Sequence, residues 1–109
     1  MDGVISFNSD IYLVEMKWLS KPIGVDELSP HLCRLYRRAD AKGIFISSNG
    51  YAKTAISHCR ELLAEKIILL CTLEEIIKLL EREGDLKEFL NKKAQAATID
   101  KNPFLELLS

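Results

Sequence analysis

The run Ile11-Tyr12-Leu13-Val14-Glu15-Met16-Lys17-Trp18 constrains the fold more than any other segment, because it is β-prone and apolar on both pleat faces. Ile11 and Leu13 fall on one side, and Tyr12, Val14, Met16 and Trp18 on the other, so the strand needs cover from both sides. A chain of 109 residues achieves this with helices flanking a sheet around one hydrophobic core. The preceding stretch, Asp2 to Phe7, is also β-prone, and Asn8-Ser9 between them supplies a tight turn, which predicts a hairpin. A turn centred there pairs Phe7 with Asp10, Ile5 with Tyr12, Gly3 with Val14 and Asp2 with Glu15.

Downstream, Lys21-Pro22-Ile23-Gly24 reads as a loop, after which Asp26 or Ser29 caps a helix that holds Pro30 in its first turn. Leu28, Leu32, Leu35, Tyr36 and Ala39 form its core face, Gly43 closes it, and Ile44 to Ser47 is a short buried strand. Ser48-Asn49-Gly50 then turns the chain into a helix whose apolar face is Ala52, Ala55, Ile56, Cys59, Leu62 and Leu63. Lys66 to Cys71 is a third apolar strand, and strand, helix, strand with short links is a right-handed crossover of a parallel sheet. Thr72-Leu73-Glu74-Glu75 is a capping box ahead of a helix to Glu83, stopped by Gly84. Asp85 caps a last helix to about Ala97, so residues 1–97 form the domain and 98–109 a tail that packs or makes an interface.

Charge and cysteine usage exclude several classes of protein. Fifteen basic against sixteen acidic residues give a formal charge of -1, so no global basic field holds the chain on nucleic acid or an anionic membrane. Any polyanion site is local, and residues 1–60, with eight basic against six acidic side chains, are the more basic half. No apolar run is long enough to span a membrane, the N-terminus lacks the order of a signal peptide, and Cys33, Cys59 and Cys71 form no disulfide framework. A cytoplasmic location with reduced thiols is expected.

Chemistry concentrates at the end of the two-sided strand. Glu15 and Lys17 leave the same face, roughly 6 to 7 Å apart along the chain. The hairpin register sets Asp2 directly across from Glu15, where two carboxylates repel unless a cation lies between them. Mg²⁺ suits such a place, because it is held by one or two carboxylates and keeps several waters. Asp2, Glu15 and the backbone carbonyl of Met16 would supply its ligands, and Lys17 would orient or deprotonate an attacking water. The plainer reading is a surface ion pair between strands. Asp85-Leu86-Lys87 has a similar spacing but falls on a predicted helix, whose period sends i and i+2 to different faces.

Asp2-Gly3-Val4-Ile5, Tyr12-Leu13-Val14-Glu15-Met16-Lys17-Trp18 and Ile44-Phe45-Ile46-Ser47 leading into Gly50-Tyr51 and Ala55 resemble the PD-(D/E)xK restriction-endonuclease-like superfamily, most closely its Mrr-like branch. The resemblance runs from Asp2 to about Leu80. It implies a three-layer α/β core with a central mixed sheet, and Mg²⁺- or Mn²⁺-dependent cleavage of DNA in restriction, defence or repair. By the same resemblance Asp2 and Glu15 bind the metal and Lys17 assists the water. Family members carry a helix before the first Asp that this chain lacks, so Asp2 is expected at a fraying strand end, and a longer parent chain with a separate recognition domain is a further expectation.

Other candidates are weighed against plainer roles. Ser47, Ser48 and Asn49 precede a helix and could accept a phosphate, joined by Lys53, or simply cap the helix. Arg34, Arg37 and Arg38 could contact a DNA backbone or form a solvated face. His31, His58 and the cysteines match no common zinc spacing, and the cysteines and Trp18 read as core. The Leu-rich stretches Leu73 to Leu80 and Leu86 to Leu90 pack or dimerise. The alternative to a nuclease is a catalytically silent module of the same fold that binds a partner or a second copy of itself.

Overall fold

The computed structural model describes residues 2–107. After an opening hairpin, β1 (Gly3–Phe7) and β2 (Asp10–Lys17), helices and strands alternate: α1 (Val25–Tyr36), β3 (Ala41–Ser47), α2 (Lys53–Leu62), β4 (Ile68–Thr72), α3 (Leu73–Glu81) and α4 (Leu86–Ile99). The strands form one mixed sheet in the order β1-β2-β3-β4, antiparallel within the hairpin and parallel from β2 onward. The hairpin register is the predicted one, Gly3 with Val14 through Phe7 with Asp10. Asn8 and Ser9 both have positive φ, 51° and 66°, the backbone of a two-residue turn that matches the twist of its strands.

Right-handed crossovers between neighbouring parallel strands place α1 and α2 on the same face of the sheet. α1 comes close enough to β3 that a Cβ on Gly43 would lie 2.9 Å from a Leu35 methyl, so the glycine is a condition of the approach. α4 crosses the other side: Lys93 reaches the carbonyl of Leu70 on β4, and Asn91 accepts a hydrogen bond from Asn8 at the hairpin turn. Ile68, Leu69, Leu70 and Cys71 are fully buried between the layers, as a parallel strand covered on both faces requires.

The tail packs. Pro103 accepts a hydrogen bond from Leu70 N-H along the free edge of β4, and Leu107 N-H donates to Glu75, while Leu108 and Ser109 lie outside the described residues. The Thr72 and Glu75 capping box forms as expected, but Glu75 does more: its buried carboxylate pairs with buried Lys93 at 2.9 Å.

Several expectations are corrected. Neither Asp26 nor Ser29 caps α1, which starts after Gly24, and Pro30 lies inside the helix. α2 begins at Lys53, so Ser47 to Asn49 do not cap it. The last strand is Ile68–Thr72 rather than Lys66 to Cys71, and α3 ends at Glu81 rather than Glu83. Cover on both faces holds for Tyr12 but not for Ile11, which is exposed alongside Val4 because α1 lies farther toward β3. Cys33 is exposed, and Trp18 is 68% exposed rather than in the core.

Candidate active site

The carboxyl end of β2 collects the candidate residues. β2 and β3 run parallel with Glu15 beside Phe45 and Lys17 beside Ser47, so the loops that follow both strands meet at this end. An open α/β sheet places its ligands at such an end, in the crevice outside the carboxyl ends of its strands. Ile23 bridges to Tyr51 and joins the two loops.

Asp2 is held on two sides. Its N-H donates to Val14 O at 2.9 Å, and its Oδ2 accepts from Met16 N-H at 2.6 Å. The Met16 N-H holds the Asp2 carboxyl below its ordinary value, with a smaller contribution from a hydrogen bond to the Glu15 side chain. The two carboxyl groups therefore share a face, as the register requires. Met16 N-H points toward the β1 side, and the carbonyl of a strand residue points the same way as its N-H, so the Met16 carbonyl faces the same edge.

Glu15 is buried, which its position in a strand over α1 explains. Its Oε1 lies 3.0 Å from His31 Nδ1 and 3.0 Å from Arg34 Nη1, both one helical turn apart on α1. Arg34 Nη1 is also 3.1 Å from His31 Nδ1. That ring nitrogen donates to Glu15 when it carries a proton and accepts from Arg34 when it does not. Burial pushes the His31 pKa down, against the opposing pull of the Glu15 charge. Whichever tautomer is present, Nε2 is buried with no hydrogen-bond partner among the described residues, and the ring lies 5.7 Å from that of Phe45. An orphaned buried nitrogen is costly, so an apolar side chain would serve packing better here. The position of His31 is explained by its hold on Glu15.

Lys17 is half-buried on the Glu15 face, and no carboxylate lies within ion-pair distance of it among the described residues. A cleft of about 20 Å³ between Glu15, His31, Arg34 and Phe45 has room for one water.

The remaining candidates divide. Arg34 is brought to Glu15, while Arg38 lies one turn farther along the same cleft. Arg37 faces a different groove, with Cys33 and His58 between α1 and α2. Lys53 is exposed in the first turn of α2. Ser47 is fully buried, and its hydroxyl donates to Gly50 O at 2.7 Å and accepts from Asn49 N-H. It shapes the loop rather than meeting solvent. Asp85 caps α4, in keeping with its exclusion as a second site.

Sequence reasoning missed His31 as a partner of Glu15. The signal was present as a histidine and an arginine at i and i+3 on the helix that follows the Glu-x-Lys strand, but its meaning depends on where that helix lands.

Among the described residues no three His, Cys, Asp and Glu side chains converge as a metal-holding set. Two carboxylates and a carbonyl suit an ion that keeps most of its waters, such as Mg²⁺ or Mn²⁺, and do not suit zinc or a calcium cage. Comparison with protein-family models, curated proteins and solved structures gives no match to this chain. No helix among the described residues is long and apolar enough to cross a membrane.

Proposed function

We propose that this chain is a metal-dependent endonuclease of the PD-(D/E)xK type, built on a restriction-endonuclease-like core and acting on DNA in the cytoplasm. The observation that carries the reading is the meeting of Asp2 and Glu15 on one face, with Lys17 two residues along the same strand. A fold does not fix a function, and the argument rests on these side chains rather than on the sheet.

Asp2, Glu15 and the Met16 carbonyl would hold Mg²⁺ or Mn²⁺, which supplies Lewis-acid activation of water and neutralises charge on the phosphate. The protein's own part is positional. Met16 N-H fixes one oxygen of Asp2. His31 holds Glu15 from the helix side. Lys17, free of a carboxylate partner among the described residues, takes a proton from the attacking water or donates to a phosphate oxygen. Arg34, half-exposed at the rim, turns to a phosphate when Glu15 is otherwise engaged. Double-strand cleavage by one such site per chain would call for a homodimer.

The test is calorimetric titration of Mg²⁺ or Mn²⁺ with a plasmid-nicking assay alongside. Binding lost in both Asp2→Asn and Glu15→Gln, with metal-dependent nicking by the wild type, supports the nuclease. Absence of both binding and nicking sinks it. A second reading, a silent interaction module, is favoured by the outer face of α3, where Ile77 and Leu80 are exposed. Retention of partner binding by a protein that never cleaves would select it.

A further inference from the structure

We propose that two copies of this chain pair antiparallel along β1, about a two-fold axis at Ile5, so that their sheets become one. The inference stands apart from the nuclease reading. The two edges of the sheet are built differently. At β4 the chain's own tail covers the edge, where Pro103 O accepts from Leu70 N-H. At the opposite edge β1 has β2 as its only sheet neighbour among the described residues.

The turn dictates which backbone groups of β1 face outward. A two-residue turn makes Phe7 and Asp10, which flank it, a hydrogen-bonded pair, and such pairs alternate along an antiparallel ladder. Ile5 and Gly3 therefore direct their groups to Tyr12 and Val14, while the N-H and C=O of Val4 and Ser6 point away from β2. Met16 N-H, which reaches back toward Asp2, has the phase that this alternation requires. Sheet edges are normally guarded by charged side chains or proline, and Gly3-Val4-Ile5-Ser6-Phe7 contains neither. Val4, and Ile11 diagonal to it on β2, are exposed on the same pleat face.

The segment is its own complement, which selects a second copy as the occupant. Pairing centred on Ile5 sets Val4 against Ser6 of the second copy and Ser6 against its Val4, so every outward donor meets an acceptor. Gly3 then faces Phe7 of the second copy, and a Cβ on Gly3 would have nothing within 4 Å, which leaves room beside it for that ring. Asp2 falls across from Asn8, so no like charges are opposed, and a net charge of -1 sets little repulsion against association. A contact made by so short a strand is small among specific interfaces, below about 1,200 Å². The expected affinity is micromolar.

Sedimentation equilibrium of the full chain, from low micromolar to submillimolar concentration, should show a monomer and dimer in exchange. Ser6→Pro removes an N-H that β2 does not use, and Val4→Lys places a charge on the edge. Each should weaken the dimer about tenfold or more, with a circular dichroism spectrum and urea midpoint near those of the wild type. In a Cys33→Ser background, Ile5→Cys should cross-link two copies on mild oxidation, because a residue on the axis faces itself. Val4→Cys should cross-link slowly, its counterpart lying on the diagonal. A chain that stays monomeric throughout, or a dimer unaffected by Val4→Lys, overturns the pairing. So does a dimer lost instead with Leu80→Lys, which would place the contact on α3. Faster cross-linking of Val4→Cys than of Ile5→Cys overturns the axis at Ile5. None of these readouts uses metal or DNA, so the pairing and the nuclease reading fail separately.

Discussion

At the scale of the residue, the site depends on side chains whose freedom has been removed by their neighbours. Lys17 is the exception, since no carboxylate claims it among the described residues, and its replacement should therefore leave the fold alone. Lys17→Ala is expected to lower cleavage about 10² to 10⁴-fold, the usual size of a lost proton-transfer group, with an unchanged circular dichroism spectrum. Retained nicking by that variant refutes its assignment. The cysteines give a second test at this scale. Burial pushes the Cys59 and Cys71 thiols up to about 12 from 9.0, whereas Cys33 is exposed. Native protein should thus react with a thiol reagent quickly at one position and slowly at two. Because the folded-state values lie above the unfolded ones, the thiols' contribution to stability is complete below pH 9.0 and declines as pH rises toward about 12. Alkaline urea titrations should show that decline, and Cys59→Ala or Cys71→Ala should flatten it.

At the scale of the element, the buried ion pair decides how the C-terminal third is held. Lys93 Nζ donates to Leu70 O at 2.8 Å and to both oxygens of Glu75, and it also lies over the rings of Phe89 and Phe104. Glu75 in turn accepts from Thr72 N-H at 2.8 Å and Leu107 N-H at 2.7 Å. One pair thereby ties β4, α3, α4 and the tail together. Burying two charges costs several kcal/mol each, and only this completeness of hydrogen bonding offsets it. Lys93→Met, which leaves the carboxylate buried without its partner, should destabilise the protein by about 3–5 kcal/mol, read from the urea midpoint. That is a large part of a typical domain stability of about 5–15 kcal/mol. Combining it with Glu75→Gln should cost less than the sum of the two single changes, since the second removes the charge that the first strands. Strict additivity would show that the two residues act separately.

At the scale of the whole molecule, the hairpin and the parallel strands deliver Asp2 and Glu15 from segments remote from α1, which then closes over Glu15 with His31 and Arg34. A metal bound between elements in this way stabilises the folded state in which they meet. Mn²⁺ at about 100 times its dissociation constant should add about 2.7 kcal/mol, a rise in Tm of about 10 °C or more. Asp2→Asn and Glu15→Gln should remove the rise, and an unshifted wild type would show that the two carboxylates do not form a cation site.

The sequence by itself determined what depends on local order and on period. The Asn8-Ser9 turn fixed the register that sets Asp2 against Glu15, alternation put Lys17 on the face of Glu15, and the Thr72 to Glu75 spacing wrote its own capping box. Where helices land is a tertiary decision, because it depends on volumes such as the space that Gly43 leaves for Leu35. That landing turned His31 from an ambiguous histidine into the partner of Glu15 and joined Glu75 to Lys93, 18 residues along the chain. It also left Trp18 68% exposed, since among the described residues no element covers the face that alternation alone had marked as apolar.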